Sequence, residues 1–196
     1  MNISFVAKGK SPKVDFTVVP YWEGAIPASL FTSPDLKPLL EAKDFQGKSG
    51  ETALFYPKEG GKILLLGLGK KGKEKSVSIR RAYANAWKLL IEKKGKNVHL
   101  VFPKIETLSD LDTLKTLCGG ALLSNYAFDR HKSEKVSLVE QLFISGAESK
   151  LEKEIDRLQI IAAGVYFIRD LVNGNAHDVG PSRLAKEAQD FSKKNK

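Results

Sequence analysis

The chain of 196 residues is 42% hydrophobic and 28% charged, which excludes a mostly disordered protein. No apolar run approaches the roughly 18 residues that span a bilayer, and no secretory signal pattern opens the chain. The single cysteine, Cys118, excludes an internal disulfide framework. We therefore expect a cytoplasmic protein. The net charge of +9 comes from lysines scattered over loops and helix faces, which favours a solvated basic surface over a nucleic-acid site.

The first half of the chain is rich in strand signals. Residues Asn2 to Ala7 and Asp15 to Tyr21 are predicted strands because Val, Ile and Phe dominate them. A stretch punctuated by three prolines follows, with a short helix predicted near Leu36 to Ala42. Two further strands, Glu51 to Tyr56 and Ile63 to Leu66, flank a Gly-Gly turn and are predicted to form an antiparallel hairpin.

The second half alternates between helices and strands. The apolar spacing predicts helices over Ser76 to Glu92, Ser109 to about Ala127 and Glu148 to about Val172, the first stopped by Gly95 and the second capped by Ser109. Strands are predicted between them, over Asn97 to Phe102 and Leu138 to Ser145. This alternation indicates an α/β fold: a mixed, mainly parallel sheet flanked by helices on both faces.

The end of the chain is unusual for a self-contained domain. A loop by composition follows Asn173, and Pro181 then begins an amphipathic helix whose apolar residues lie on one side: Leu184, Ala185, Ala188 and Phe191. We therefore expect residues 1–172 to form one α/β domain. Residues 173–196 are expected to be an interdomain loop and the first helix leading to a further domain.

One glycine motif has the pattern of a dinucleotide site. Gly67-Leu68-Gly69-Lys70-Lys71-Gly72 is G-x-G-x-x-G, follows a predicted strand and precedes a predicted helix. However, the helix begins only near Ser76, and the next strand ends at Phe102-Pro103-Lys104 without a carboxylate for a ribose hydroxyl. A glycine turn at the end of a strand is the favoured interpretation, and a nucleotide site is the alternative.

No other residues form a recognisable catalytic or metal-binding pattern. His99, His131 and His177 are isolated from one another, although His177-Asp178 is a candidate ligand pair, and Cys118 falls on the inward face of a helix. Arg169-Asp170 interrupts an apolar stretch and is predicted to form a structural ion pair or an interdomain contact. The sequence thus offers no catalytic, cofactor-binding or metal-ligating residue.

Several short motifs resemble the leucyl (cytosol) aminopeptidase family. Arg169-Asp170-Leu171-Val172-Asn173, followed by Pro181 to Leu184-Ala185, is similar to the family's R-D-L-x-N and P-x-x-L-A segment between two domains. Leu66 to Lys70, Arg80-Arg81-Ala82, and Gly119 with Leu123 to Phe128 resemble its amino-terminal domain. The connecting loop departs from the common N-x-P-x-N, since it reads Asn173-Gly174-Asn175-Ala176-His177.

The resemblance implies a two-domain, two-metal (Mn or Zn) exopeptidase that removes N-terminal residues such as leucine from peptides and assembles as a homo-hexamer. It also implies a macro-domain-like fold for this chain. The family's metal ligands and catalytic residues belong to the carboxyl-terminal domain, so none is carried over and this chain alone is expected to be inactive. The alternatives are a free-standing macro-like module that binds ADP-ribose or a related nucleotide at Gly67 to Gly72 and, less favoured, a basic nucleic-acid-binding domain.

Overall fold

The computed structural model describes residues 1–7, 12–24, 45–57, 61–175 and 179–194, and the helix predicted near Leu36 lies outside them. Four α-helices, one 3-10 helix (Ser149–Leu151) and six strands are found in these ranges. The helices are α1 (Ser76–Glu92), α2 (Asp110–Ser124), α3 (Glu152–Asn173) and α4 (Pro181–Lys194). The strands are β1 (Asn2–Val6), β2 (Phe16–Trp22), β3 (Thr52–Phe55), β4 (Lys62–Gly69), β5 (Asn97–Val101) and β6 (Gln141–Ser145).

The strands form one mixed sheet in the order β1-β6-β5-β2-β4-β3. All neighbours are parallel except β3 and β4, which form the predicted antiparallel hairpin with Leu54 opposite Leu64. Helix α1 connects β4 to β5, and α2 connects β5 to β6, as parallel pairing requires a crossover connection. The predicted α/β fold with a mainly parallel sheet is therefore confirmed.

The main core lies between the sheet and the three helices α1, α2 and α3. Alternate residues of β4, namely Leu64, Leu66 and Leu68, are buried in one cluster with Tyr83 and Trp87 of α1, because successive strand side chains point to opposite faces. α2 and α3 add residues to the same cluster. On the opposite face a smaller cluster joins β2 and β4 to Phe45.

The ends of α1 and α2 show how local sequence sets the helix limits. The predicted cap is confirmed, since the Ser109 hydroxyl accepts a hydrogen bond from the Asp112 backbone N–H at 3.1 Å. At the end of α1, however, Lys94 and not Gly95 adopts the left-handed conformation, with φ of +55°. Gly95 is needed for a different reason, because a Cβ there would lie 2.7 Å from the Phe16 ring.

Asn125 explains why α2 and β6 are both shorter than the sequence predicts. Its buried side-chain amide donates to the Val139 carbonyl at 2.9 Å, and its amide oxygen accepts from the Val139 N–H at 2.9 Å. The backbone N–H and C=O of Val139 are therefore hydrogen-bonded to a side chain and not to a neighbouring strand. Strand β6 begins only at Gln141. Helix α2 ends at Ser124, directly before the residue that makes this bridge.

Candidate functional site

The glycine motif after β4 is packed against a neighbouring loop. The Gly67 N–H donates to the Glu51 carbonyl at 2.8 Å, and the Gly69 N–H donates to the Gly47 carbonyl at 2.9 Å. A Cβ on Gly67 would lie 2.0 Å from the Lys48 carbonyl oxygen, so only glycine fits there. Gly69 has φ of +84° and also faces this loop. Both glycines thus serve a close contact between two backbone segments.

A dinucleotide site needs such N–H groups to be free at the start of a helix. Here the amides of Gly67 and Gly69 are both engaged, and α1 starts at Ser76, four residues after Gly72. The favoured interpretation from the sequence, a glycine turn at the end of a strand, agrees with this geometry.

A buried glutamate anchors the segment between the glycine motif and α1. Glu74 is 7% exposed, and its carboxylate accepts a hydrogen bond from Trp22 Nε1 at 2.6 Å. Its backbone carbonyl accepts from the Thr107 hydroxyl at 3.0 Å. The end of β2 and the segments that follow β4 and β5 are thereby joined at one edge of the sheet. Nothing in the surrounding sequence marks Glu74 as buried, so this anchor could not be predicted from the residues around it.

His99, His131 and Cys118 each pack against or hydrogen-bond to other residues of the domain. His99 Nε2 lies 2.8 Å from the Ser145 hydroxyl on the neighbouring strand, and burial lowers the pKa of His99. His131 packs edge-on against the Phe128 ring, whereas His177-Asp178 lies outside the described residues. Cys118 is buried in the core, and burial raises the pKa of its thiol to about 12. In the described ranges no three His, Cys, Asp or Glu residues converge as metal ligands would.

The Arg169-Asp170 pair near the end of α3 contacts the segment that follows α2. The Asp170 carboxylate accepts hydrogen bonds from the Tyr126 hydroxyl at 2.8 Å and from Arg130 Nη2 at 3.1 Å. Arg169 donates to the Leu123 carbonyl at 2.6 Å and lies over the Tyr126 ring, 5.4 Å from its centroid. Asp170 thus takes part in a structural ion pair, as the sequence predicts for this site, and its partner is Arg130.

Two motifs that resemble one family therefore touch each other. Tyr126 belongs to the segment Leu123 to Phe128, and its hydroxyl also accepts a hydrogen bond from the Asn173 amide at 3.2 Å, so that it bridges both ends of the R-D-L-V-N segment. One turn before Asp170 on α3, the Tyr166 hydroxyl donates a hydrogen bond to the Leu122 carbonyl of α2. These contacts hold the carboxyl-terminal half of α3 against the end of α2 and the residues that follow it.

Comparison with known proteins identifies the family. The model described as "Cytosol aminopeptidase family, N-terminal domain" matches residues 21–135. This chain belongs to the cytosol aminopeptidase family. It is similar to a probable cytosol aminopeptidase of Protochlamydia amoebophila, with 33% identity over 93% of this chain, and to one of Chlamydia felis, with 36% identity over 94%. In both comparisons the matched region is 39% of the relative's length.

Two solved structures share the fold of this chain. A mutant of tomato leucine aminopeptidase superposes with a TM-score of 0.79 and 26% identity, covering 98% of this chain and 42% of the tomato chain. The bottromycin maturation enzyme BotP has the same fold, with a TM-score of 0.75 over 92% of this chain and 37% of its own, at 17% identity. The resemblance noted in the sequence motifs is thereby confirmed.

A cavity of about 290 Å³ lies at the junction between the segment after α2, the end of α3 and the start of α4. Phe128 and Phe167 form part of its wall. Its charged side chains are paired with one another, Arg130 with Asp170 at 3.1 Å and Arg183 with Glu187 at 2.5 Å. The first pair links the segment after α2 to α3, and the second lies within α4. None of the helices in the described ranges has the length and hydropathy that crossing a membrane requires.

Proposed function

We propose that this chain is the amino-terminal, non-catalytic domain of a metal-dependent leucyl aminopeptidase that removes N-terminal amino acids from peptides. The observation that carries the proposal is the match to the family's N-terminal domain, combined with a coverage of only 39% of the relatives' length. The remaining part of such an enzyme, which this chain does not match, would contain the catalytic residues. This chain would supply scaffold and subunit contacts.

The metal chemistry of the proposed enzyme belongs outside this chain. The family implies two divalent ions, Mn or Zn, and one structure of BotP is described as a complex with Mn. The described residues of this chain do not fit such a site, because no three potential ligands converge among them. We therefore assign no metal ligand and no catalytic step to these residues.

The resemblance to the family also suggests an oligomeric state, a fold type and a domain division. We propose a homo-hexamer in the full-length enzyme, a macro-domain-like fold for residues 1–172, and an interdomain role for residues 173–196. A cytoplasmic location is supported by the relatives' description as cytosol aminopeptidases and by the single, buried cysteine. Peptides would be bound through the catalytic part, without a membrane or nucleic-acid partner.

The reading frame downstream of Lys196 tests this proposal most cheaply. We expect it to continue into a region with clustered Asp, Glu and Lys residues, long enough to bring the total to the relatives' length. A stop codon directly after Lys196 in the genomic sequence would contradict the proposal. It would favour the alternative of a free-standing macro-like module.

A further inference from the structure

Helix α3 has a second apolar stripe beside the one that faces the core, and Leu158, which packs against the core cluster, lies where the two stripes meet. Its five members follow the alternating spacing of three and four residues that is typical of a coiled-coil seam: Leu158, Ile161, Val165, Ile168 and Val172. Ile161, Ile168 and Val172 are 53%, 56% and 76% exposed, while the other two are half-buried. We call these five residues the α3 seam.

Helix α4 packs on a different side of α3. Phe191 of α4 stacks on Phe167, with ring centroids 5.8 Å apart. Phe167 directly precedes Ile168, so the two side chains point about 100° apart around the helix axis. The α3 seam therefore stays exposed in the described structure while α4 lies beside it.

A groove of about 350 Å³ adjoins the N-terminal part of the α3 seam, between α1, α2 and α3. Its apolar wall includes Leu122 and Leu123 of α2 together with seam residues. Three cations and one carboxylate line it: Arg80, Lys115, Arg157 and Glu154.

The single carboxylate of this groove is shared between two of its cations. Glu154 Oε1 lies 3.6 Å from Lys115 Nζ and 3.8 Å from Arg157 Nη1. The groove lining thus keeps an excess of two positive charges, since three cations face one carboxylate. An apolar seam with a cationic end is complementary to an amphipathic helix whose flanks are acidic.

Charge and size together argue against a second copy of this chain as the occupant. Each copy carries a net charge of +9 and would bring the same cations with it. The seam from Leu158 to Val172 is also only about 21 Å long at 1.5 Å per residue. Such a seam buries less than the roughly 800 Å² per partner of a stable interface. A covalently tethered helix needs less contact area, because tethering makes its local concentration high.

We propose that the α3 seam and its groove dock an acidic amphipathic helix from the part of the same enzyme that the relatives have beyond the matched region. The source of the helix rests on the proposed function, whereas the chemistry of the surface does not. The docked helix would bury Ile161, Ile168 and Val172 and place carboxylates near Arg80, Lys115 and Arg157. The seam would thereby set the position of this domain on the catalytic part.

Two synthetic peptides test the surface chemistry on the chain as it is. Both have the same three-heptad Leu/Ile seam; one carries Glu and the other Lys at the flanking positions. Fluorescence anisotropy in low salt is expected to show at least tenfold tighter binding of the Glu peptide. Ile168→Asp should weaken that binding at least tenfold. Ile160→Asp is the matched control, because Ile160 is 73% exposed on the same helix but outside the seam, and it should leave binding unchanged.

Three results of this experiment would overturn the proposal. Equal binding of the Glu and Lys peptides would remove the charge argument, and equal weakening by both Asp variants would remove the seam. Sedimentation that shows a dimer of the chain, dissociated by Ile168→Asp but not by Ile160→Asp, would make a second copy the occupant. Circular dichroism of both variants shows whether either has lost its helices.

The source of the helix is tested in the full-length polypeptide. The variants Ile168→Cys and Ile160→Cys are labelled with a thiol reagent, and the labelling rate at each site is read by mass spectrometry. We expect the label to react at least tenfold more slowly at position 168 in the full-length polypeptide than in the chain, and equally fast at position 160. Equal rates at position 168 would refute docking within the enzyme. A reading frame that stops at Lys196 would refute the proposed function, while the peptide experiment would still decide the surface.

Discussion

The substitution Gly67→Ala tests whether the glycine motif is a structural contact. In this structure the new methyl group would lie 2.0 Å from the Lys48 carbonyl oxygen and 2.7 Å from the Gly47 carbonyl carbon. Both neighbours are backbone atoms, so no side-chain rotation can relieve the clash. The chain must separate the two segments, which also weakens the 2.8 Å hydrogen bond from the Gly67 N–H to Glu51.

The expected cost combines these two effects. Overpacking of a closely packed site costs about 1 to 3 kcal/mol, and losing the hydrogen bond adds about 1 kcal/mol. We therefore expect Gly67→Ala to lower the free energy of unfolding by about 2 to 4 kcal/mol. In a chain of this size each kcal/mol shifts the Tm by about 2 to 4 °C, so the Tm should fall by about 4 to 16 °C.

Urea and thermal unfolding followed by circular dichroism measure this change. Gly164→Ala is a matched control, because Gly164 is an exposed residue of α3 with no atom within 4 Å of the added Cβ. The same chemical change should there stabilise the chain by about 0.5 to 1 kcal/mol. A Gly67→Ala variant as stable as the wild type would show that the close backbone contact does not require glycine at this position. Micromolar binding of ADP-ribose by the wild type that is lost in Gly67→Ala, with the stability unchanged, would support the nucleotide-binding alternative.

The remaining predictions concern other parts of the chain. Lys94→Gly should stabilise the chain by about 0.5 to 1 kcal/mol in urea unfolding, because glycine adopts the left-handed conformation without strain; a loss of stability would contradict this. Asn125→Ala should cost about 2 to 4 kcal/mol in the same assay, since it leaves two buried backbone groups of Val139 unpaired; a cost below 0.5 kcal/mol, on the order of a neutral surface change, would contradict it. Folding lowers the pKa of His99, so stability should fall as the pH drops below about 6.5, and His99→Gln should lose less stability than the wild type between pH 7 and 5; parallel pH profiles would exclude a role for His99. Amide exchange in dilute monomer should be faster over Pro181–Lys194 than over Ile155 to Val165, because Leu184 and Phe191 remain 44% and 55% exposed; equal protection would mean that α4 belongs to this domain's own core.

Regular apolar periodicity was enough to predict most elements. Helix α1 occupies Ser76–Glu92 as its stripe predicts, and the hairpin of β3 and β4 follows from two strand-like runs around Gly-Gly. Strand β4 nevertheless continues to Gly69, beyond the predicted end at Leu66, because β2 still pairs with it there. Glycine has a low strand propensity, so this pairing depends on a neighbour that the local sequence does not indicate.

Long-range partners could not be predicted from the sequence. Asp170 pairs with Arg130, forty residues earlier, and Glu74 accepts a hydrogen bond from Trp22 at the end of strand β2. The apolar stripes of α3 show the same problem, since the helix has one stripe in the core and another in solvent. The sequence of α3 does not show which of its apolar positions are buried, because only the packing of α2 and the sheet decides this.

Hydrolysis of leucyl-anilide in the presence of Mn²⁺ tests whether this chain is the non-catalytic domain of a metal-dependent aminopeptidase. The purified 196-residue chain is compared with the full-length polypeptide of the same gene, each with and without a chelator. We expect no hydrolysis by the chain and no tight binding of Mn²⁺ or Zn²⁺ to it, together with chelator-sensitive hydrolysis by the full-length polypeptide. Chelator-sensitive hydrolysis by the chain alone, or a full-length polypeptide without peptidase activity, would contradict it.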